Sequence, residues 1–232
     1  GSTDNVAQLV NAGLGIVSTI LVYLCSLKVL PNWKWALFAA FLWSMYPPAI
    51  LYREYIAKEN LMIPLLLLQM LLLLDFYKSS RKRTLSIVIG IIFGAGLLVG
   101  PAIILTGAVI CVVVPFSNNE QKKNYSWERL LFFILGSLII LLPWFVYTNS
   151  MLGKPVLNTN GGFNLYLGNH ENATVDFSGI QNTPMKDEWH SLRNDKGEVQ
   201  SVAILKDKAI RYIINNPEKT IWLSFRKIVY FW

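Results

Sequence analysis

Histidine and cysteine are nearly missing from this chain, and charge is thin. It has two His, two Cys, and 15% charged residues in 232. Cys25 and Cys111 both fall inside apolar runs. They form neither a disulfide framework nor a spaced ligand set, and read as small buried hydrophobes. His170 follows Gly168-Asn169, and His190 stands near Asp187 and Glu188. Neither has the ligand spacing of a metal site, so both read as solvated loop histidines. No metal site is assigned and no cofactor is called for, although a divalent metal is left open. No Ser-His-Asp order, P-loop or dinucleotide motif is present, which removes the common soluble enzyme classes.

Apolar residues fill the chain instead. Hydrophobic residues make up 53% of it and its mean hydropathy is +0.41, too apolar for an ordinary soluble domain. Several runs approach the ~20 residues that cross a bilayer as a helix. The net charge of +7 is carried largely by short loops between those runs. That is the pattern of membrane topology, and it argues against a nucleic-acid partner.

The expected fold class is an all-α polytopic membrane bundle with a small extracytoplasmic cap. Spans are predicted at about 6–30, 33–50, 61–77 and 130–147, with a short hairpin over 85–116. These form a bundle over 1–147. A cap follows over 148–220, and 221–232 reads as the start of a further, truncated span. Without an initiating Met, and stopping at Phe231-Trp232 inside an apolar run, the chain is expected to be a fragment of a larger membrane protein.

Direction follows from the cations. Lys78, Arg81, Lys82 and Arg83 form the densest basic loop. Lys122, Lys123 and Arg129 form another, and Lys28 with Lys34 a third. All three should be cytoplasmic. Both loops flanking 85–116 can share that side only if the stretch enters and returns. Gly100-Pro101 then marks its tip, since Pro101 cannot continue the hydrogen-bond ladder. One long kinked helix is the second reading.

Two outer segments carry candidate chemistry. Tyr52-Arg53-Glu54-Tyr55 and Lys58-Glu59-Asn60 place four charges in one short loop between spans, where ionisable groups must be solvated, paired or functional. A solvated junction with snorkelling Arg53 and Lys58 is the competing reading. Asn158–Asn169 is rich in Asn and Gly, which suits a hydroxylated ligand and equally suits solvated turns. Further on, Val202, Leu205, Ala209, Tyr212 and Ile213 recur at helical spacing, and Asn215-Asn216-Pro217 should end that helix.

Taken in order, these pieces resemble the membrane glycosyltransferases of the GT-C fold, which use polyprenyl-phosphate sugars. The likeness is nearest to bacterial relatives of protein mannosyltransferases and the lipid A aminoarabinose transferase. It is carried by Tyr46-Pro47, Tyr55 to Leu61, the Gly94–Pro101 turn, and Leu142-Pro143-Trp144 with Asn149. Gly153 leading into Asn158–Asn169, the helix ending at Asn216-Pro217, and Lys227 complete it.

The resemblance implies an inverting transferase in the bacterial cytoplasmic membrane, with its cap outside. Its partners would be a polyprenyl-phosphate sugar donor, membrane lipid, and a glycan, lipid or protein acceptor. A carboxylate would deprotonate the acceptor hydroxyl as it displaces the lipid phosphate. Glu59 matches the family's outer-loop Glu and is the supporting candidate. Tyr55, Arg53, Lys58, Asn160, Gly161, Asn164 and Asn169 are the substrate-binding candidates. Two departures stand out. The family's Arg-Pro at the hairpin tip reads Gly100-Pro101, so Arg53 or Lys58 would have to supply the phosphate cation. The family's catalytic acid belongs upstream of Val6–Leu30, so the catalytic residue is unassigned and this fragment alone is expected to be inactive. The alternative is a non-enzymatic polysaccharide transport or assembly protein with a carbohydrate-binding outer segment.

The topology is directly testable. In a background without Cys25 and Cys111, single cysteines at Ser80 and Ser178 should react with impermeant reagent from opposite faces of the membrane. Labelling of both from one face overturns it.

Overall fold

The computed structural model describes residues 2–51, 55, 57–76, 79–116, 127–175 and 185–231. Among these residues the secondary structure is helical throughout, with no strand. That is the expected outcome for apolar runs of this length, because a helix satisfies its backbone N–H and C=O groups within itself. The chain divides into two compact units, Gly1–Tyr147 and Thr148–Trp232.

The first unit contains α1 (Ser2–Val29), α2 (Trp33–Ser44), α3 (Pro47–Leu51), α4 (Glu59–Phe76), α5 (Lys82–Val99), α6 (Ile104–Phe116) and most of α7 (Trp127–Leu152). Four helices are long and apolar enough to cross a membrane: Asn5–Val29 of α1, and α4, α5 and α7. At 18 residues, α4 and α5 are each about 27 Å long, near the hydrocarbon thickness. Large apolar side chains point outward from these helices, among them Leu9 and Val146, as lipid-facing surfaces do. The chain thus has the make-up of a multi-pass membrane protein.

Ion pairs mark one end of the bundle. Lys28, in the last turn of α1, pairs with Asp75 near the end of α4 at 2.5 Å. Arg83 at the start of α5 pairs with Glu128 at the start of α7 at 2.8 Å. Of the predicted basic loops, Lys78, Lys122 and Lys123 lie outside the described residues.

The stretch after α5 doubles back. Gly100 is extended and Pro101 opens a 3-10 turn, Pro101–Ile103, into α6. A Cβ on Gly107 would stand 2.5 Å from the Phe93 ring, so α6 returns along α5. Ile89, Ile110 and Val114 share one buried core with Phe76 and Phe133. In a continuous helix, residues 89 and 110 would be about 31 Å apart.

The predicted span over 33–50 is not one helix. It ends at Ser44, and α3 restarts at Pro47. Consecutive Pro47 and Pro48 offer no N–H to continue the ladder, and Pro47 pushes Tyr46 away from helical geometry.

α5 and α7 approach closely. A Cβ on Gly90 would collide with the Phe133 carbonyl oxygen, and one on Gly136 with the Ile87 carbonyl oxygen. Gly94 would meet the Ser137 carbonyl at 2.8 Å. In an apolar solvent that does not drive helices together, such small-residue contacts supply the packing.

The second unit is built from α8 (Gly161–Gly168), α9 (Met185–Lys196), α10 (Glu198–Asn215) and α11 (Pro217–Phe231), preceded by the end of α7. α10 is its hub. Ser201, Leu205 and Ala209, four residues apart, form its buried stripe. Gly162 lets α8 pack onto the α10 backbone, since a Cβ there would strike the Val202 carbonyl oxygen. Phe163 of α8 meets Trp189 of α9 at 4.9 Å between ring centroids. Where the composition of 158–169 suggests turns or a ligand segment there is a short helix, α9 has no apolar period to announce it, and α10 starts at Glu198, before the first periodic residue Val202. α11 begins at Pro217 rather than Ile221.

Gly136→Val should force α5 and α7 apart and destabilise the protein by about 1–3 kcal/mol. Thermal-shift measurements in detergent should show a clear fall in Tm. Gly13→Ala, in the interior of α1 with no atom within 4 Å of the new Cβ, should not lower it. Equal melting of the Gly136 variant and the wild type would contradict the close approach.

Candidate functional site

At the end of the first unit away from the ion pairs, α1, α2, α3 and α4 leave a cavity of about 260 Å³. Its walls are mainly apolar, with Asn11, Ser18, Trp43, Tyr46, Glu59 and Asn60 supplying the polar groups. Trp43 and Tyr46 stack at 6.1 Å between centroids with planes 27° apart. The Trp43 indole nitrogen is buried and has no hydrogen-bond acceptor among the described residues. A buried N–H without a partner costs roughly 1–3 kcal/mol, and such a group commonly awaits a ligand or a water.

Glu59 opens α4, and a carboxylate in a first helical turn is stabilised by the unpaired N–H groups there. That contact alone would justify an acid at this position. Glu59 also lines the cavity, and among the described residues no cation lies within ion-pair distance of it. Among those residues Glu59 lines the cavity without a charge partner.

Tyr55 organises the loop before α4 through its backbone. Its carbonyl accepts from Asn11 Nδ2 and from Asn60 Nδ2, each at 2.9 Å. The Tyr55 ring itself is exposed. Lys58 stands beside the hairpin tip: a Cβ on Gly100 would lie 3.8 Å from Lys58 Cδ and 3.3 Å from Met62 Sδ. Tyr55, Lys58 and Glu59 thus come together at one end of the bundle. Arg53 lies outside the described residues, as do Tyr52 and Glu54.

Asn160, Gly161, Asn164 and Asn169 belong to the second unit. Asn158 Oδ1 accepts from the N–H groups of Asn160 and Gly161, both at 3.2 Å, and so steadies the entry to α8. Asn160, Gly161 and Asn164 are exposed. Asn169 closes the helix, its Nδ2 donating to the Leu165 carbonyl at 2.9 Å. The composition that suggested a ligand site is therefore spent partly on capping a short helix.

A titratable cluster surrounds the far end of α8. The Tyr166 and His170 rings lie 5.6 Å apart, and Lys208 sits 5.9 Å over the Tyr166 ring. Lys208 pairs with Glu188. Burial pushes the Tyr166 hydroxyl above its ordinary range, with Glu188 adding to the shift. Burial pulls His170 below 6.5, and the Lys227 charge adds to that. Lys227 donates to the Gly168 carbonyl at 2.8 Å, a cation at the negative end of α8.

Among the described residues no three His, Cys, Asp or Glu side chains are grouped as a metal site would require. Sequence reasoning missed Asn11 and Trp43 as site residues. Asn11 could have been found as a polar side chain in a predicted span, since such groups normally need a partner or a role. Trp43 carried no signal beyond that of an interfacial aromatic. Compared with family models, curated proteins and solved structures, the chain matches none of them.

Proposed function

We propose that this chain is part of an integral membrane glycosyltransferase. It would take a sugar from a polyprenyl phosphate and pass it to an acceptor hydroxyl at the outer face of the bacterial cytoplasmic membrane, with the second unit as an extracytoplasmic cap. The observation that carries the reading is the position of two neighbouring residues, Lys58 beside the hairpin tip and Glu59 in the cavity wall. The Lys58 stem adjoins the hairpin tip at Gly100, where the family resemblance calls for a phosphate-binding cation. Its neighbour Glu59 lines a cavity walled by a stacked Trp–Tyr pair.

Each group has a defined task in this reading. Lys58 offsets the charge that develops on the departing lipid phosphate. The faces of Trp43 and Tyr46 suit the C–H surface of a sugar ring, and the Trp43 N–H donates to one of its hydroxyls. Glu59 accepts from sugar hydroxyls, which a carboxylate does strongly. Asn11 and Asn60 hold the loop that carries Lys58 and Glu59. The apolar bundle suits the prenyl tail. The base that deprotonates the acceptor is assigned to no residue of this chain.

In the whole protein, Glu59→Gln and Trp43→Phe should each lower transfer from a radiolabelled polyprenyl-phosphate sugar. The loss should be about ten- to a hundredfold for the carboxylate, as expected for a charged hydrogen bond of roughly 1.5–3 kcal/mol. Lys58→Met should chiefly weaken use of the phosphorylated donor. Expression and membrane insertion should be unaltered in all three. Wild-type transfer in the Glu59 and Lys58 variants would reduce both to a solvated helix start and remove the proposed site.

A further inference from the structure

α11 carries an apolar stripe that is exposed among the described residues. Ile221, Trp222, Phe225, Ile228 and Val229 follow one another at helical spacing and are each between 56% and 71% exposed. The Trp222 and Phe225 rings stack at 6.0 Å. On the opposite face Leu223 and Lys227 are half-buried, and Lys227 Nζ is bonded to the Gly168 carbonyl at 2.8 Å.

The Lys227 bond decides between two ways of meeting a membrane. Lys227 lies ten residues beyond Pro217, about 15 Å along the helix axis. If α11 crossed the bilayer, that depth would draw the end of α8 and the non-helical backbone that follows it from Asn169 into hydrocarbon. Lipid-exposed irregular backbone is not tolerated there. α11 is therefore tied to its unit along the inner face and can present only its outer stripe.

We propose that α11 is an interfacial helix, lying in the headgroup layer of an anionic bilayer with Trp222 and Phe225 inserted at the boundary of the acyl chains. The chain already carries four helices of membrane-crossing length, so a bilayer is its standing environment. Arg226 and Lys219 border the stripe, and among the described residues neither has a carboxylate within ion-pair distance. Arg226 also lines a shallow groove of about 350 Å³ beside Trp222 and Val229, suited to a lipid phosphate above an acyl chain. An apolar stripe bordered by free cations is the composition of a helix that rests on anionic lipid. This inference is independent of sugar transfer.

The test places an environment-sensitive fluorophore on single cysteines at Trp222 or Phe225, with Asp207 as an exposed control on α10. Cys25 and Cys111 are replaced, and the whole chain is reconstituted in phosphatidylcholine vesicles with and without phosphatidylglycerol. Spin labels near the headgroup should quench both stripe positions at least about twofold more than labels at the chain ends. The Asp207 position should respond only to aqueous iodide. Lys219→Glu with Arg226→Glu should reduce the lipid quenching in anionic vesicles and leave it unchanged in neutral ones. Strongest quenching from the chain ends would mean a crossing helix. Iodide quenching alone would mean a solvated face, and protection from every quencher would mean a covering protein segment. Each of those three results overturns the proposal.

Discussion

Hydrocarbon accepts no hydrogen bonds, and that single constraint arranges the first unit. Every backbone group along the spans must be satisfied within its own helix, so the apolar runs become helices and the irregular backbone gathers at their ends. Charges are displaced to the same places. Lys28, Asp75, Arg83 and Glu128 pair at one end, while Lys58 and Glu59 stand at the other. Polar side chains that stay within the bundle are tied down: Ser18 to the Leu14 carbonyl, Ser137 to Phe133, and Thr106 to Gln69. Among the described residues two buried side-chain donors lack an acceptor, Gln69 Nε2 and the Trp43 indole N–H, and the second lies in the cavity beside Glu59.

The elements the sequence revealed were those set by length and period. An 18-residue apolar run has few solutions near a membrane, and four such helices are present. The return of 85–116 could be argued from Gly100-Pro101 and the flanking cations alone. α10 was visible because a helix with one buried face repeats its small and apolar residues every four positions, as Ser201, Leu205 and Ala209 do.

What stayed hidden depends on contacts between distant segments. The sequence around Phe163 to Leu167 is too short and too rich in flanking Gly and Asn to announce a helix. α8 forms because Gly162 can meet the α10 backbone and Asn158 caps its entry. α9 is polar along most of its length and shows no apolar period. Of the candidate site, Lys58 and Glu59 were legible as charges at a boundary. The cavity was not, because Asn11, Trp43 and Asn60 are 49 positions apart at the extremes and meet only after α1, α2 and α4 pack.

The proposed chemistry joins three features: a cation beside the hairpin tip, a carboxylate in the cavity wall, and an aromatic wall with a donor unsatisfied among the described residues. Their shared prediction is a bound sugar in one defined position. A cryo-electron microscopy structure of the whole protein with a polyprenyl-phosphate sugar tests this most directly. The sugar should occupy the cavity with hydroxyls about 2.7–3.2 Å from Trp43 Nε1 and the Glu59 carboxylate, and the phosphate should contact Lys58. A sugar bound elsewhere, with the cavity filled only by an acyl chain, would contradict the account.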